Sequence, residues 1–457
     1  MTLPNLIWHH QEKYPHTRSD QLAQLFYLNH SDDYTRFTQF LKGNIALSES
    51  IREAVNQIIT GIVSEKDLAL IAFTKKFDGV SLKPDELLLS EEEIEASVNT
   101  LEDSQKDMLK ASFERLWKFH EKQIPTSQTW KDEDSVTLGW IWQPIQSCGL
   151  YVPGGTATYP SSVLMMGVPA RIAGVKSIAL TVPPSNALDP HLLYASRLVS
   201  VDRIYRVGGA QAIAALAYGT ETISAVDKIA GPGNSFVTEA KRQVFGQVGI
   251  DMVAGPTEVV VVSDNNSRPD WVAADLIAQA EHDPLSRSIL ISDCEKFVSK
   301  VFSEVAKQAE LLPRKEIILE SWNSNGAGVI VDNIVQGIEL SNEIAPEHLQ
   351  LNLNDPERYL DRISNAGSIF LGNWTPEVLG DYIGGPNHVL PTSGTARFFS
   401  GLAVWDFMKR STVLGVPEES FGKLGRIAER MAVKEHLEGH ANSIRIRMNE
   451  IEGSTSE

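Results

Sequence analysis

GLYVP (149–153), SIALTVP (177–183), RIYRVG (203–208) and DKIAGPG (227–233) are four short β-like runs, and what separates them decides the fold. PSSVLMMGVPARIAG (160–174), DPHLLYASRLV (189–199) and AQAIAALAYG (210–219) lie between them and read as helices. Strand–helix alternation of this kind predicts parallel βαβ units with helices on both faces of a sheet. A second alternation follows, with TEVVVVSD (257–264), SRSILISD (286–293), GAGVIVD (326–332) and NAGSIFLG (365–372) as strands. WVAADLIAQAEHD (271–283), CEKFVSKVFSEVAKQAELL (294–312) and a stretch ending near Pro346 are the intervening helices. Two arrays of similar size suggest two related α/β domains left by an old duplication. Upstream, the first 150 residues read as mainly helical. Ser48–Phe77 has helical apolar spacing, and Ser90-Glu91-Glu92-Glu93 opens another helix with acid in its first turn. After Ser400 the chain reads as helix to about Lys434, and then as a strand over SIRIRMN (443–449).

The 457 residues are 42% hydrophobic and 22% charged, an ordinary globular composition with ample length for large cores. Lys and Arg number 41 against 59 Asp and Glu, a net charge of −18 that repels a phosphate backbone, and no Lys/Arg run offsets it. Nucleic acid is therefore not an expected partner. Cys148 and Cys294 are the two cysteines, so neither a disulfide framework nor a thiolate zinc site is available. The N-terminus has no basic segment followed by an apolar one, as a secretory signal would. Ser161–Pro183, the longest apolar stretch, is broken by Arg171, Lys176 and several Gly and Pro residues, which argues against a membrane span. The expected location is the cytoplasm, or an organelle after loss of a transit peptide.

Three glycine turns, VPGGTATYP (152–160), VGGAQA (207–212) and AGPGNSF (230–236), each follow a strand-like run and precede a helix. None matches GxGxxG, and there is no GxxxxGK[ST]. Free N–H groups at such helix starts can hold an anion, and equally the glycines can serve tight turns alone. Gln279 and His282 stand at i, i+3, on one helical face. Asp381, His436 and His440 add nitrogen and oxygen donors, a set that suits zinc and would also accept manganese or cobalt. Glu347-His348 in NEIAPEHLQL (342–351) pairs a carboxylate with an imidazole that titrates near neutrality, the natural acid–base candidate. Pro346 before it favours an extended Ala345 and a turn or helix start. In that setting Glu347 could instead be a first-turn residue answering the helix dipole.

With these blocks in view, the chain resembles the histidinol dehydrogenase family. The likeness is carried by GLYVPGGTATYPSSVLMMGVPARIAGV, VGGAQAIAALAYGTETI, IAGPGNSFVTEAKRQV, AGPTEVVVVSD, ADLIAQAEHDP and NEIAPEHLQL. FTKKFDGVSL (73–82) and the long run from Gly367 to Thr412 extend it, so that it covers Ser48 to His440 in consistent order. The resemblance implies zinc-dependent oxidation of L-histidinol to L-histidine with two NAD+, closing histidine biosynthesis. It implies metal ligands at Gln279, His282, Asp381 and His440, and general bases at Glu347 and His348. Substrate contacts fall on Thr257, His388 and Glu435 besides the ligands and His348, and cofactor contacts on Tyr151, Gln211 and Asn234. Thr257 stands where many members have Ser, which keeps the hydroxyl. The implied organisation is an N-terminal helical element (1–27), a discontinuous Rossmann-like domain (28–150 and 257–398) and a second one (151–256). A C-terminal element (399–457) would cross to the partner of a homodimer, placing Glu435 and His440 in the other subunit's site and leaving His436 exposed. A zinc- and NAD-dependent dehydrogenase of another small amino alcohol or diol is the competing expectation.

Overall fold

The computed structural model describes residues 23–28, 31–43, 49–154, 159–185 and 188–454. The chain forms two compact units: Met1–Leu47 with Ala254–Asp381 and Leu390–Gly401, and Ser48–Val253 with Tyr382–Val389 and Leu402–Glu457.

In the first unit one wholly parallel sheet runs in the order Gln24–Tyr27, Gly326–Ile330, Arg287–Ser292, Glu258–Ser263, His348–Asn352, Ser368–Leu371. EVVVVS reads as an unbroken apolar run because the strand is buried on both faces. Val259 and Val261 pack with Val272, Ala273 and Leu276 of the Pro269–Ala280 helix. Val260 and Val262 pack with Ile338 and Ile344 of the Ile334–Ile344 helix. The strand order reverses between Glu258–Ser263 and His348–Asn352, the switch point of a doubly wound sheet.

The second unit repeats the arrangement with Arg203–Arg206, Ser177–Val182, Ser147–Tyr151, Lys228–Ala230 and Gly249–Ile250. Its reversal lies between Ser147–Tyr151 and Lys228–Ala230. The Gly209–Tyr218 helix is apolar almost all round because it shares a core with Val55, Ile58 and Ile62 of the Glu49–Glu65 helix. Ser90 caps the Glu91–Val98 helix reciprocally: Glu93 N–H donates to Ser90 Oγ (3.2 Å) and Ser90 N–H to the Glu93 carboxylate (2.9 Å). The same unit holds an antiparallel sheet of Met408–Gly415, Thr137–Pro144 and Gln128–Lys131.

Two α/β units with parallel sheets match the expected fold class, while several local expectations need correction. Residues 1–22 of the expected N-terminal helical element lie outside the described residues, and Gln24–Tyr27 is a strand that pairs with Gly326–Ile330. Residues 48–150 group with the second unit instead of the first, because their helices bury Val55, Ile62 and Leu70 in its core. Strands occur within the stretch read as helical, at 128–131 and 137–144, and again at 408–415. SIRIRMN is helical, inside Glu438–Ser454. Its Ile–Arg alternation hides a helical face of Ala441, Ile444 and Met448, and the latter two lie where a Cβ on Gly425 would stand 3.1 and 3.2 Å away. Among the described residues no helix is long and apolar enough to cross a membrane.

Candidate active site

In the first unit the polar residues gather at the amino-terminal ends of the two strands that flank the switch point. Ala345 is left-handed (φ 54°) and not extended, and closes the preceding helix through its N–H to Ser341 O (2.8 Å). Pro346, which has no N–H to continue a helix, then leads into the strand His348–Asn352. Glu347 is thus not a helix-start residue. HLQLN alternates as a half-polar strand should: Leu349 and Leu351 enter the apolar core, while His348, Gln350 and Asn352 point to the opposite face. His348 pairs in parallel register with Val259, so this polar face is the one beneath the Pro269–Ala280 helix. That helix supplies Asp275 and Gln279, one turn apart and both buried, with His282 just beyond its end.

Glu347 and His348 are 6% and 5% exposed. Thr257 Oγ1 donates to Glu347 Oε2 (2.6 Å), as does the Glu258 N–H (2.9 Å), and Gln279 Nε2 donates to Thr257 Oγ1 (2.7 Å). Burial drives the Glu347 carboxyl well above the ordinary range, and those two donors oppose the rise without cancelling it. His348 Nδ1 lies 3.0 Å from Glu258 O. A carbonyl oxygen only accepts, so Nδ1 carries the proton and Nε2 keeps its lone pair. The ring also meets Phe370, with centroids 5.9 Å apart.

Glu377 is a member of this cluster that the sequence reading did not single out. It is 1% exposed, and its Oε2 lies 3.4 Å from His348 Nδ1. Burial pushes its carboxyl up to about 8, and His348 opposes that rise. Deeper along the same face, Gln350 Nε2 donates to Asp275 Oδ2 (2.5 Å) and Asn352 Oδ1 (2.8 Å). Asp275 is raised by burial to about 6. Glu377 precedes Asp381 by four residues and Asp275 precedes Gln279 by four, a one-turn spacing that was visible in the sequence.

His282 is exposed over part of its surface, and the protein packed around the rest of its ring lowers its pKa against the opposing field of Asp381. Asp381 is half-buried in the short Val378–Tyr382 helix. Gln279, His282 and Asp381 thus belong to one unit. His440 belongs to the other, exposed at the start of the Glu438–Ser454 helix. Among the described residues no three or more His, Cys, Asp or Glu side chains are grouped to hold a metal.

The remaining residues lie in the second unit. His388 is half-buried, with Nε2 3.3 Å from Ser162 Oγ. Glu435 and His436 are exposed, the latter as expected. Tyr151 is buried at the carboxyl end of its strand, where its hydroxyl accepts the Gly209 N–H (3.1 Å) and burial lifts its pKa to about 12. Gln211 is 1% exposed and donates to Asp78 Oδ2 (3.3 Å); burial raises Asp78 to about 6. Asn234 is exposed and caps the Ser235–Val244 helix, accepting from Phe236 N (3.0 Å) and Val237 N (3.1 Å). Gly231 (φ +135°) makes the turn before it, where any Cβ would collide with Tyr151 O. Residues 155–158 of the first glycine turn are outside the described residues. The three expected cofactor residues therefore share the carboxyl-end rim of one doubly wound sheet.

Two doubly wound units, one of them with a buried carboxylate–imidazole pair at the amino-terminal rim of its sheet, make an α/β protein with a candidate acid–base site. A family model for histidinol dehydrogenase matches residues 43–448. The chain is 48% identical over 415 residues to the histidinol dehydrogenase of Rhodospirillum rubrum, spanning 90% of this chain and 96% of that relative. With that of Cereibacter sphaeroides it shares 47% over 416 residues, spanning 91% and 96%. The crystal structure of histidinol dehydrogenase from Elizabethkingia anophelis matches with a TM-score of 0.89 at 37% identity, covering 94% of this chain and 99% of that one. The chain belongs to the histidinol dehydrogenase family, and with it to the oxidoreductases.

Proposed function

We propose that this protein oxidises L-histidinol to L-histidine through the bound aldehyde, using two NAD+ and one zinc ion per subunit, as the closing steps of histidine synthesis. The observation that carries this reading is the buried pair Glu347–His348, with Nε2 of His348 left as the base by the hydrogen bond at Nδ1. Gln279, His282 and Asp381 offer an amide oxygen, an imidazole and a carboxylate, a donor set that fits zinc without thiolates. His440 is the fourth ligand, donated by a partner subunit. Zinc would anchor the substrate's imidazole and amine, and NAD+ would accept hydride.

His348 Nε2 takes the proton of the substrate hydroxyl as hydride leaves. Glu347, whose basicity burial has raised, takes a proton from the water that adds to the aldehyde. His348, once it has released its first proton to solvent, serves again as base for the hydrate as the second hydride leaves. Thr257 fixes the Glu347 carboxylate, and Gln279 fixes Thr257. Tyr151, Gln211 and Asn234 border the cofactor site, while His388 and Glu435 recognise the substrate. The C-terminal helices leave Ile427, Met431 and Leu437 exposed around Glu435, an apolar surface suited to a second copy of this chain.

Purified protein supplied with zinc should form two NADH per L-histidinol consumed. Turnover of simple amino alcohols or diols without turnover of histidinol would transfer the assignment to the competing activity. Full activity of His348→Asn would remove the base assignment.

A further inference from the structure

We propose that Glu377 is a positioning residue for His348, holding the imidazole from its Nδ1 side and balancing the positive charge acquired when Nε2 takes a proton. The inference rests on His348 being the base. Glu377 Oε2 is 3.4 Å from Nδ1, and it has no hydrogen-bond donor among the described residues. A carboxylate oxygen this deeply buried without a donor is costly unless a charge answers it. The nearest group able to become cationic is the His348 ring.

The chain around Glu377 is built to put it there. Beyond the Ser368–Leu371 strand the backbone turns at Gly372 (φ 84°), with Thr375 Oγ1 donating to Leu371 O (2.7 Å). Gly380 N–H donates to Glu377 O (2.6 Å), and the absence of a side chain at Gly380 lets this segment lie on the Phe370 ring, which a Cβ would approach to 2.7 Å. Phe370 is also the ring against which His348 packs. The segment that follows Glu377 and the imidazole therefore share one aromatic wall.

Other charged groups face the pair from each neighbouring element. Glu347 lies beside His348, with its Oε2 3.7 Å from Nδ1. Glu258, paired with Arg287 at 3.8 Å, comes from the adjacent strands. Asp275 comes from the helix above, His282 from just beyond its end, and Asp381 from the helix that follows Glu377. Of these carboxylates Glu347 already has two donors, and Asp275 is engaged by Gln350. Glu258 also has a buried oxygen without a donor, but it faces Arg287. Glu377 Oε2, 3.4 Å from Nδ1, responds to the imidazole, so that a proton on His348 favours the Glu377 anion and loss of that proton favours the neutral acid. The proton that leaves the substrate hydroxyl bonds to Nε2, the Nδ1–H bond persists, and Glu377 changes only the stability of the cation.

The test is Glu377→Gln in the zinc-loaded enzyme, with Glu377→Asp and His348→Asn alongside. Glu377→Gln should lower kcat by about 10- to 100-fold, the usual effect of losing an orienting partner, with KM for histidinol changed less than threefold. The acid limb of the kcat–pH profile should move to lower pH, because an imidazolium without its counter-charge loses its proton more readily. Glu377→Asp should restore part of that displacement. Nitrogen NMR of the His348 ring, assigned by its loss in His348→Asn, should show the Nδ1–H tautomer in the wild type and a lower titration midpoint in Glu377→Gln. An unmoved acid limb together with an unmoved His348 titration overturns the inference, as does an Nε2–H tautomer in the wild type, which needs no variant to fold. Activity retained in His348→Asn would instead remove the base on which the inference stands.

Discussion

Glu377 should make the fold weaker as the pH rises, and replacing it should remove that weakness. Below about 4.5 its carboxyl is neutral in both the folded and the unfolded chain and contributes nothing to the pH dependence. Between 4.5 and about 8 the unfolded chain ionises while the folded protein keeps the buried acid protonated wherever the His348 ring is neutral. The folded state then binds one more proton than the unfolded one, and loses about 1.4 kcal/mol of stability per pH unit. Over a window of about 3.5 pH units this reaches about 5 kcal/mol, and above pH 8 both states ionise and the loss stops growing. Gln at this position has no such titration, but its buried amide lacks ready partners, a pH-independent cost of about 1–3 kcal/mol. The two stability curves should therefore cross. Glu377→Gln should be the less stable protein near pH 5 and the more stable one near pH 8, by about 2–4 kcal/mol. Urea unfolding of the metal-free protein at a series of pH values measures this, followed by the fluorescence of Trp271 and Trp374, whose rings meet at 4.7 Å in the same unit. A gap between the proteins that stays within about 1 kcal/mol from pH 5 to 8 would refute the reasoning, since one pH unit alone should exceed it.

Thr257→Val keeps the volume but removes the hydroxyl between Gln279 and Glu347; losing a hydrogen bond of about 1.5–3 kcal/mol to a charged group should cut kcat about 10- to 100-fold, with the circular dichroism spectrum unchanged. Chelation should abolish NADH formation and added zinc restore it, while His282→Ala should fail to regain stoichiometric zinc by metal analysis. Gly231→Ala places a methyl against the Tyr151 carbonyl and strains a positive φ, so it should lower stability by about 1–3 kcal/mol and raise KM for NAD+, read by urea unfolding and initial rates. Met431→Asp puts a charge on the exposed apolar face of the C-terminal helices; light scattering should show a dimer for the unaltered protein and a monomer for the variant, with activity falling alongside.

The strand–helix alternation made both sheets legible because fully buried parallel strands such as EVVVVS have no polar face to obscure them. Where a strand is half-polar the pattern was harder to read. HLQLN alternates because one face meets an apolar core and the other a polar site, and Pro346 before it suggested a turn instead. The domain limits were not legible, since nothing local in Ser48–Phe77 says which core its apolar stripe will enter. Glu347 and His348 could be found as adjacent residues of complementary chemistry. Glu377 was hidden, because a lone acid in a tight turn gains meaning only when the chain folds back over Phe370. Asn234 showed its glycine turn but not its second task, holding two helix N–H groups.

The two sheets share a strand order but offer their candidate chemistry at opposite rims: Glu347 and His348 at strand beginnings, Tyr151 and Gly231–Asn234 at strand ends. These rims differ electrically. Helices antiparallel to the strands present their carbonyl ends at the first rim and their N–H ends at the second, each equivalent to about half an elementary charge of opposite sign. The first rim thus favours a cation, and the second a phosphate, before any side chain is chosen. A single topology used twice can welcome opposite charges simply by being read from its two ends.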